Sequence, residues 1–402
     1  MASASFSSLP PELVSNICND PGLKEKDLIA LRLTSKAQGI HASATKALGK
    51  LCFTAISLLY TEYSLETFTK ICDHSIFGPI IRRVELSCTH FDTDAFDSYV
   101  KTLADCEYTR EELIHQVQRL SARCDAEEFF KVSYARALLD RAFTHLTKSN
   151  HSLTIAISTG EYTSIGRSRI FEPDPDSEYF YADVPFALDL LLGSAKQSGC
   201  KVTELDIGVA ARRFYHDSHY DSYYDLYDLM HSISDVSLEL TLIDDYGDEE
   251  PQKFILWMRD LLSYGTDIKS LDLCLMVFDD NDERKFEPFF RIIMRLPLEV
   301  LRLQDLYMSQ KATTDLLESL RSTLRRLTIG CCDVVGSWRE ILVSIQQNSS
   351  RLDYLEIYEG ILSWLQQWGS FRGTTAVQSG LEKMLQAEQD VAKGSDDRND
   401  DD

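Results

Sequence analysis

Short apolar triplets recur along the chain with a nearly constant internal spacing. In most of them the second apolar residue follows the first by three positions, and the third follows after two more. From residue 200 onward, the central residues of the triplets are Leu205, Leu238, Leu271, Leu301, Leu327 and Leu355. Successive centres are therefore 33, 33, 30, 26 and 28 residues apart. Because apolar residues alternate with polar ones, the pattern predicts β-strands with one buried face.

Two similar triplets lie earlier, at 81–86 and 153–157, and amphipathic helical patterns separate the later strands. The helical patterns occupy 254–262, 286–296, 313–321 and 338–347. A strand with one such helix cannot bury both apolar surfaces alone, whereas stacked units bury them between a parallel sheet and a helical layer. This arrangement resembles an irregular leucine-rich repeat. We therefore expect a solenoid with parallel strands on one face and helices on the other. Strands of an ordinary α/β domain are the alternative.

The first fifty residues have a different pattern, which predicts three short helices. The sequence LPPEL at 9–13 is typical of a helix start, because prolines are tolerated in the first turn and an acidic residue suits the positive end of a helix. The turn-forming sequence NDPG at 19–22 ends this helix. Further amphipathic segments begin near Asp27 and near Ile40.

Residues 9–36, LPPELVSNICNDPGLKEKDLIALRLTSK, resemble an F-box motif. The resemblance rests on the Leu-Pro pair, the acidic residue followed by Leu, the downstream Ile, and Asp-Leu followed by Leu-Arg-Leu and Lys. F-box modules bind the Skp-type adaptor of cullin–RING ubiquitin ligases and precede a region that binds the substrate. The adaptor contacts that the resemblance implies are Leu9, Pro10, Leu13, Ile17, Leu28 and Leu31.

The expected fold class is therefore α/β, with a short N-terminal trihelical F-box-like module at 1–50 and an irregular leucine-rich-repeat-like solenoid at 51–388. A largely helical insertion is predicted near 90–150. A disordered acidic tail is predicted at 389–402, because its last ten residues, KGSDDRNDDD, are polar and lack apolar anchors.

The net charge of −23 is concentrated in two stretches. Residues 172–250 contain 19 acidic and four basic residues, a balance of −15, and residues 390–402 contain six acidic and two basic ones, a balance of −4. Such an acidic chain is a poor match for nucleic acid or an anionic membrane, because their charge would repel it. A basic protein surface is a better match.

No motif typical of an enzyme stands out. The best candidate is 215–221, where His216 and His219 lie near carboxylates and could ligate a metal ion of a hydrolase. A solvated tyrosine-rich loop is the simpler interpretation. No GxSxG, Walker A, HExxH or GxGxxG sequence occurs, and the ten cysteines form no CxxC pairs. We therefore expect no catalytic residues, no metal site and no cofactor, and reduced thiols of an intracellular protein.

Four loops rich in acidic residues and tyrosines follow predicted strands: 171–184, 210–228, 243–250 and 278–284. Because parallel strands end along one edge, these loops should form one rim. The rim is either an ordinary polar surface or a site that holds a basic segment of a partner protein by charge and cation–π contacts. The residues that represent the second interpretation are Tyr220, Tyr223, Tyr224, Asp244, Asp245, Glu249 and Glu250.

These expectations lead to two hypotheses of function. In the first, the chain is the substrate-receptor subunit of a Skp–cullin–F-box ubiquitin ligase. It binds a Skp-type adaptor, and through it a cullin, and recruits an unidentified target protein for ubiquitin-dependent degradation in the cytoplasm, the nucleus or both. Such a subunit supplies proximity rather than catalytic groups. In the second, the chain is a non-ligase leucine-rich-repeat interaction scaffold whose first helices only cap the array.

Overall fold

The computed structural model describes residues 10–34, 38–91, 134–159, 180–211, 228–242, 250–277, 287–348, 350–358 and 369–396, together with residues 109, 111, 114 and 165. The described helices are α1 (Pro11–Cys18), α2 (Glu25–Thr34), α3 (Gln38–Cys52), α4 (Glu62–Asp73), α5 (Tyr134–Thr147), α6 (Val184–Gln197), α7 (Glu250–Ser263), α8 (Glu287–Ile293), α9 (Gln310–Leu320), α10 (Trp338–Asn348) and α11 (Thr374–Asp396). A short 3₁₀ helix spans Gly78–Ile80.

The described strands are β1 (Ala55–Leu58), β2 (Arg83–Ser87), β3 (Thr89–Phe91), β4 (Leu153–Ser158), β5 (Phe180–Ala182), β6 (Val202–Ala211), β7 (Asp235–Leu242), β8 (Ser270–Val277), β9 (Val300–Gln304), β10 (Tyr307–Ser309), β11 (Arg326–Gly330), β12 (Asp333–Val335), β13 (Tyr354–Tyr358) and β14 (Gly369–Arg372). Ten of them form one sheet in the order β1-β2-β4-β6-β7-β8-β9-β11-β13-β14. The sheet is mostly parallel, and β14 runs antiparallel to β13.

The fold class predicted from the sequence, an F-box-like module followed by a leucine-rich-repeat-like solenoid, is wrong. The structure is an α/β fold with a single ten-stranded, mostly parallel sheet. The strands lie where the apolar triplets are, but a step of 26 to 33 residues is the length of any strand–helix unit, because parallel neighbours need a crossover connection of a dozen or more residues. The spacing therefore identified parallel strands and did not identify their architecture.

The chain divides into two compact units, which we call the first and second unit. The first contains residues 1–179 and 186–202, and the second contains residues 180–185 and 203–402. In the first unit, β1 and β4 both pair in parallel with β2. Helices α4 and α5 pack on each other, and the rings of Phe68 and Phe143 meet edge to face with centroids 6.3 Å apart. Both rings are fully buried, so they form the centre of this core.

In the second unit, apolar and polar residues alternate along most strands of the ten-stranded sheet. Leu271 and Leu273 of β8 are buried, for example, and Asp272 between them is partly exposed. Helices α7 to α11 each pack on the next one along the chain. The buried side chains of the strands meet buried helical residues such as Phe254, Met258 and Leu261. The core therefore lies between one face of the sheet and one layer of helices.

Two equivalent bends follow β9 and β11. Asp305 (φ 52°) and Cys331 (φ 49°) are in the left-handed region, which non-glycine residues adopt at a cost in energy. Each directs the chain into a second short strand, and these strands, β10 and β12, pair in parallel with each other. Successive strand–helix units thus share a local geometry in this region.

Helix α11 extends to Asp396, so the first eight positions of the segment predicted to be a disordered tail are helical, and residues 397–402 lie outside the described part. Helix α5 lies within the predicted helical stretch 90–150, most of which is also outside it. In the part of the chain that the structure describes, no helix has both the length and the apolar character needed to cross a bilayer.

Candidate functional site

The first three helices share a small core of their own. Its members are Val14, Cys18, Leu28, Ile40, Ala44, Ala47 and Leu48, with Leu23, Leu31 and Cys52 packed against it. On α1, Val14 and Cys18 are one helical turn apart and both face inward. Helix α3 supplies four of the buried residues and contacts both α1 and α2. It is therefore the centre of this cluster.

Local hydrogen bonds fix the ends of α1 and α2. The backbone carbonyl of Pro10 accepts hydrogen bonds from the N–H groups of Leu13 and Val14, which begins α1 without a side-chain cap. In the turn that follows, the carboxylate of Asp20 accepts from the N–H of Gly22 at 2.7 Å. At the start of α2, the Asp27 carboxylate accepts from the N–H of Lys24 at 3.0 Å, as the acidic residue of a capping box does. These contacts fix the start of α1, the turn after it and the start of α2.

Two pairs of large apolar side chains remain outside this core. On α1, Leu13 and Ile17 are 49% and 39% exposed, and on α2, Ile29 and Leu33 are 38% and 77% exposed. The members of each pair are four residues apart, so they lie on one side of their helix. Fully burying one such side chain is worth about 1.5–3 kcal/mol, which gives a partner a reason to cover them. We call these four residues the apolar pairs.

The structure places the predicted adaptor contacts in three different environments. Pro10, Leu13 and Ile17 are exposed, whereas Leu28 is 3% exposed and lies in the core. Leu31 is partly buried against the same core, and Leu9 lies outside the described residues. The sequence pattern missed Ile29 and Leu33, the outward residues of α2. The sequence did contain a signal for this second side, because α2 has apolar residues at 28 and 31 on one side of the helix and at 29 and 33 on another.

Helix α3 connects this cluster tightly to the rest of the first unit. A Cβ atom on Gly49 would lie 2.8 Å from Cδ1 of Ile80 and 3.2 Å from Cδ1 of Phe77, so the helix approaches the 77–80 segment closely at this glycine. The rings of Phe53 and Phe77 stack with centroids 4.5 Å apart. The N–H of Arg82 donates to the carbonyl of Thr54 at 2.8 Å. The apolar pairs are thus carried on a well-anchored support.

The second candidate surface is the face of the second unit's sheet that carries the polar side chains. Parallel sheets are usually covered on both faces, and their strands then read as nearly continuous apolar runs. Here the strands alternate, and residues such as Asp235, Glu239 and Arg302 are exposed. We call this surface the open face.

Acidic residues are concentrated on three strands of the open face. On β6, β7 and β8 it carries five acidic residues and no lysine or arginine: Glu204, Asp206, Asp235, Glu239 and Asp272. Glu204 is directly opposite Asp235 in the register of β6 and β7. Like charges in directly opposite positions repel each other, so these carboxylates give this part of the open face, which we call the acidic half, a negative potential.

The residues predicted for target binding fall almost wholly outside the described part of the chain. Tyr220, Tyr223, Tyr224, Asp244, Asp245 and Glu249 are not described, and Glu250 is the first residue of α7. The histidines at 216 and 219 are not described either. Sequence analysis missed the acidic half of the open face, although its residues occupy the polar positions of the apolar triplets.

The described residues include two buried thiols and a buried carboxylate whose surroundings limit their chemistry. Among them, no three His, Cys, Asp or Glu side chains are grouped closely enough to hold a metal ion. Burial raises the pKa of Cys332 and of Cys274 to about 12, so both thiols stay protonated at neutral pH and are poor nucleophiles. The buried Glu85 accepts hydrogen bonds from Ser158 at 2.8 Å and Ser57 at 3.2 Å, which gives it a structural role.

Comparison with known proteins gives no family. No protein-family model matches the chain, and no curated protein matches it. One similar solved structure is an N-terminally His-tagged D-allulose 3-epimerase from Methylomonas sp. with additional C-terminal residues. It is 11% identical, the match covers 63% of this chain and 92% of the epimerase chain, and the TM-score is 0.22. A likeness at that score carries no argument about fold or function.

Proposed function

We propose that the chain is a non-catalytic substrate-receptor subunit of a Skp–cullin–F-box ubiquitin ligase. Its first two helices bind a Skp-type adaptor, and through it a cullin. The observation that carries the proposal is the position of the apolar pairs. Leu13 and Ile17, two of the residues that match the F-box motif, are exposed on α1, and Ile29 and Leu33 add a second exposed pair within the matching segment.

Several properties of this region support the proposal. An exposed leucine or isoleucine is common singly, but exposed apolar residues repeated at helical spacing on neighbouring helices are typical of interaction sites. The core beneath them is complete without them, since Val14, Cys18 and Leu28 are buried. Their exposure is therefore not a defect in the packing of the cluster, and a partner can cover them without rearranging it.

The second part of the proposal concerns the target. We place target recruitment on the acidic half of the open face, with a basic segment of the target held by charge. The five acidic residues on β6 to β8 favour such a segment, as the tyrosine-rich acidic loops of the sequence do. A receptor of this kind works in the cytoplasm, the nucleus or both.

Adaptor binding is tested by calorimetry with the full chain and a purified Skp-type adaptor. The double variant Leu13→Asp/Leu33→Asp should lower the affinity at least a hundredfold, because central apolar contacts of an interface are worth about 2 kcal/mol or more each. The matched control is Leu256→Asp on α7, where the leucine is 42% exposed and lies in the second unit. It should leave the affinity unchanged.

A folded chain that shows no affinity for the adaptor would overturn the ligase function. The alternative function, an interaction scaffold outside any ligase, would then be favoured. Its support would be the open face, which does not depend on the first helices. Equal losses in the double variant and in Leu256→Asp would show that the apolar pairs are not the adaptor site.

A further inference from the structure

The other half of the open face contains a cleft lined by arginines. It has a volume of about 520 Å³ and lies over β9, β11, β13 and β14. Three guanidinium groups line it, those of Arg302, Arg326 and Arg372. The lining also includes the hydroxyl-bearing Thr328 and Tyr354 and the carboxylate of Asp353. Ligand sites typically have volumes of about 300 to 1,000 Å³, so this cleft is large enough for a charged group with its neighbours.

The register of the strands brings these side chains together. Arg326 pairs with Tyr354, and Tyr354 pairs with Arg372, so the two arginines lie on either side of the tyrosine, about 10 Å apart across three strands. Arg302 is two positions beyond Val300, the residue opposite Arg326. Its Cα is therefore about 8 Å from that of Arg326. Three like charges on one face of neighbouring strands repel one another, which is a cost in the absence of an anion.

Nearby acidic residues neutralise these arginines only in part. Arg302 donates to the carboxylate of Asp272 at 3.3 Å. The Tyr354 hydroxyl donates to Glu356 at 2.8 Å, and the Arg372 guanidinium lies 5.8 Å from the centre of the Tyr354 ring. Within the described residues, neither Arg326 nor Arg372 has a carboxylate in ion-pair contact. In a chain with 64 acidic and 41 basic residues, such a local excess of positive charge is contrary to the overall composition.

The start of α11 adds to the positive potential. Gly373 lines the cleft, and the helix begins at the next residue. The carbonyl of Gly373 accepts from the N–H of Val377, and the first amide groups of a helix have no partners within it, so the positive end of the helix dipole lies at the cleft. Guanidinium groups and helix N-termini are both common binders of phosphate.

We propose that this cleft binds a phosphate monoester group carried on a peptide of a partner protein. A phosphate monoester has a charge of about −1.5 to −2 at pH 7. Arg326 and Arg372, which line the cleft and have no described carboxylate in ion-pair contact, offer it two positive charges. Arg326 and Arg372 clamp the phosphate from two sides by paired N–H···O hydrogen bonds, and Arg302 approaches it from the third strand. This site deepens the proposed function by adding a modified target, but binding is measured without any adaptor.

The test uses the full chain and three probes: a Gly-Gly-phosphoserine-Gly-Gly peptide, its unphosphorylated form, and inorganic phosphate. Titrations are followed by calorimetry at constant ionic strength. The phosphopeptide should bind more tightly than inorganic phosphate, and the unphosphorylated peptide should not bind. Arg326→Gln should weaken phosphopeptide binding at least tenfold. Arg326→Lys should restore only part of the affinity, because lysine cannot form the paired hydrogen bonds.

The matched control is Arg325→Gln, which removes the same charge one residue away. Arg325 contacts Glu299 at 3.8 Å and does not line the cleft, so its loss should change phosphopeptide affinity less than twofold. Equal effects of Arg325→Gln and Arg326→Gln would overturn the proposal, and so would equal affinities for inorganic phosphate and phosphopeptide. Either result leaves adaptor binding untouched, because that is measured on α1 and α2.

Discussion

Helices α1 and α2 resemble the strands of the open face in the residues that they bury and differ from them in the residues that they expose. Both bury one side of each element, the helices through residues such as Val14 and Cys18 and the strands through residues such as Leu271 and Leu273. Outside, the helices expose apolar pairs four residues apart, whereas the strands expose charges at alternate positions. One surface is suited to contacts that depend on apolar area, and the other to contacts that depend on charge.

This difference has consequences for how each surface would select a partner. Apolar contacts are short-ranged and nearly independent of ionic strength, so the first surface needs close shape complementarity. Charged contacts act over about 10 Å at 0.1 M salt, and they attract a partner before it touches. In the proposed receptor, the apolar surface would therefore hold one partner stably, and the charged surface would exchange another.

The largest expected effect is a difference in stability between a substitution on the buried side of α2 and one on its exposed side. Leu28→Ala should lower the free energy of unfolding by about 2–4 kcal/mol, because the substitution leaves a cavity in the core of the first helices. Leu33→Ala should change it by less than about 0.5 kcal/mol, because Leu33 is already exposed. Urea unfolding followed by circular dichroism measures both. A Leu33→Ala chain as unstable as Leu28→Ala would show that Leu33 is covered in the free protein.

The sequence predicted the positions of the strands better than it predicted the architecture they form or which side of a helix is buried. The alternation around Leu271, Leu301 and Leu327 located three strands, because a period of two residues identifies a half-buried strand wherever it lies. The same spacing was assigned to the wrong architecture, because the length of a strand–helix unit is common to many parallel sheets. On α2, apolar residues on two sides left the buried side undetermined.

The arginine cleft shows a different limit. Arg302 and Arg326 occupy polar positions within apolar triplets, 24 residues apart, and Arg372 comes from an antiparallel strand that no triplet marks. Only the register of β9, β11, β13 and β14 brings these residues together. Pairing registers depend on contacts between segments distant in sequence, which a local pattern does not contain.

A smaller effect is expected for charge on the open face. A lysine-rich octapeptide should bind the chain, and Asp235→Lys/Glu239→Lys should weaken it about tenfold, because each exposed charge contact is worth about 0.2–1 kcal/mol and reversal also adds repulsion. Fluorescence anisotropy at 50 and 200 mM salt measures this binding. Adaptor affinity should change little over the same range. Salt-independent peptide binding would contradict the assignment of the acidic half to charge recognition.

The control for this experiment is Glu318→Lys/Glu382→Lys. It changes the net charge by the same amount at two exposed positions on α9 and α11, in the helical layer of the same unit. If it weakens peptide binding as much as the variant on β7 does, the effect comes from the overall charge of the protein. The acidic half of the open face would then have no specific part in binding.

The smallest expected effect concerns Asp272, which lies on β8 between the acidic half and the arginines. Burial raises the pKa of Asp272 above its ordinary value of 3.8, and the nearby charge of Asp206 adds to the shift, while the hydrogen bond and charge of Arg302 oppose it. A raised folded-state pKa means that the folded chain holds this proton more tightly than the unfolded chain does. Its contribution to stability is therefore fully present below pH 3.8 and is lost as the pH rises through the folded-state pKa.

Asp272→Asn removes this contribution at every pH. The free energy of unfolding of the variant, relative to that of the unaltered chain, should therefore increase as the pH rises from about 3.8 towards neutrality, so the variant becomes relatively more stable. Urea titrations at several pH values measure the difference, and Asp267→Asn, at an exposed turn residue, controls for the loss of one negative charge. A relative stability that falls with rising pH would mean that the ion pair with Arg302, rather than burial, dominates the ionisation of Asp272. Asp272 would then neutralise more of the charge of Arg302, and less positive charge would be available to an anion in the arginine cleft.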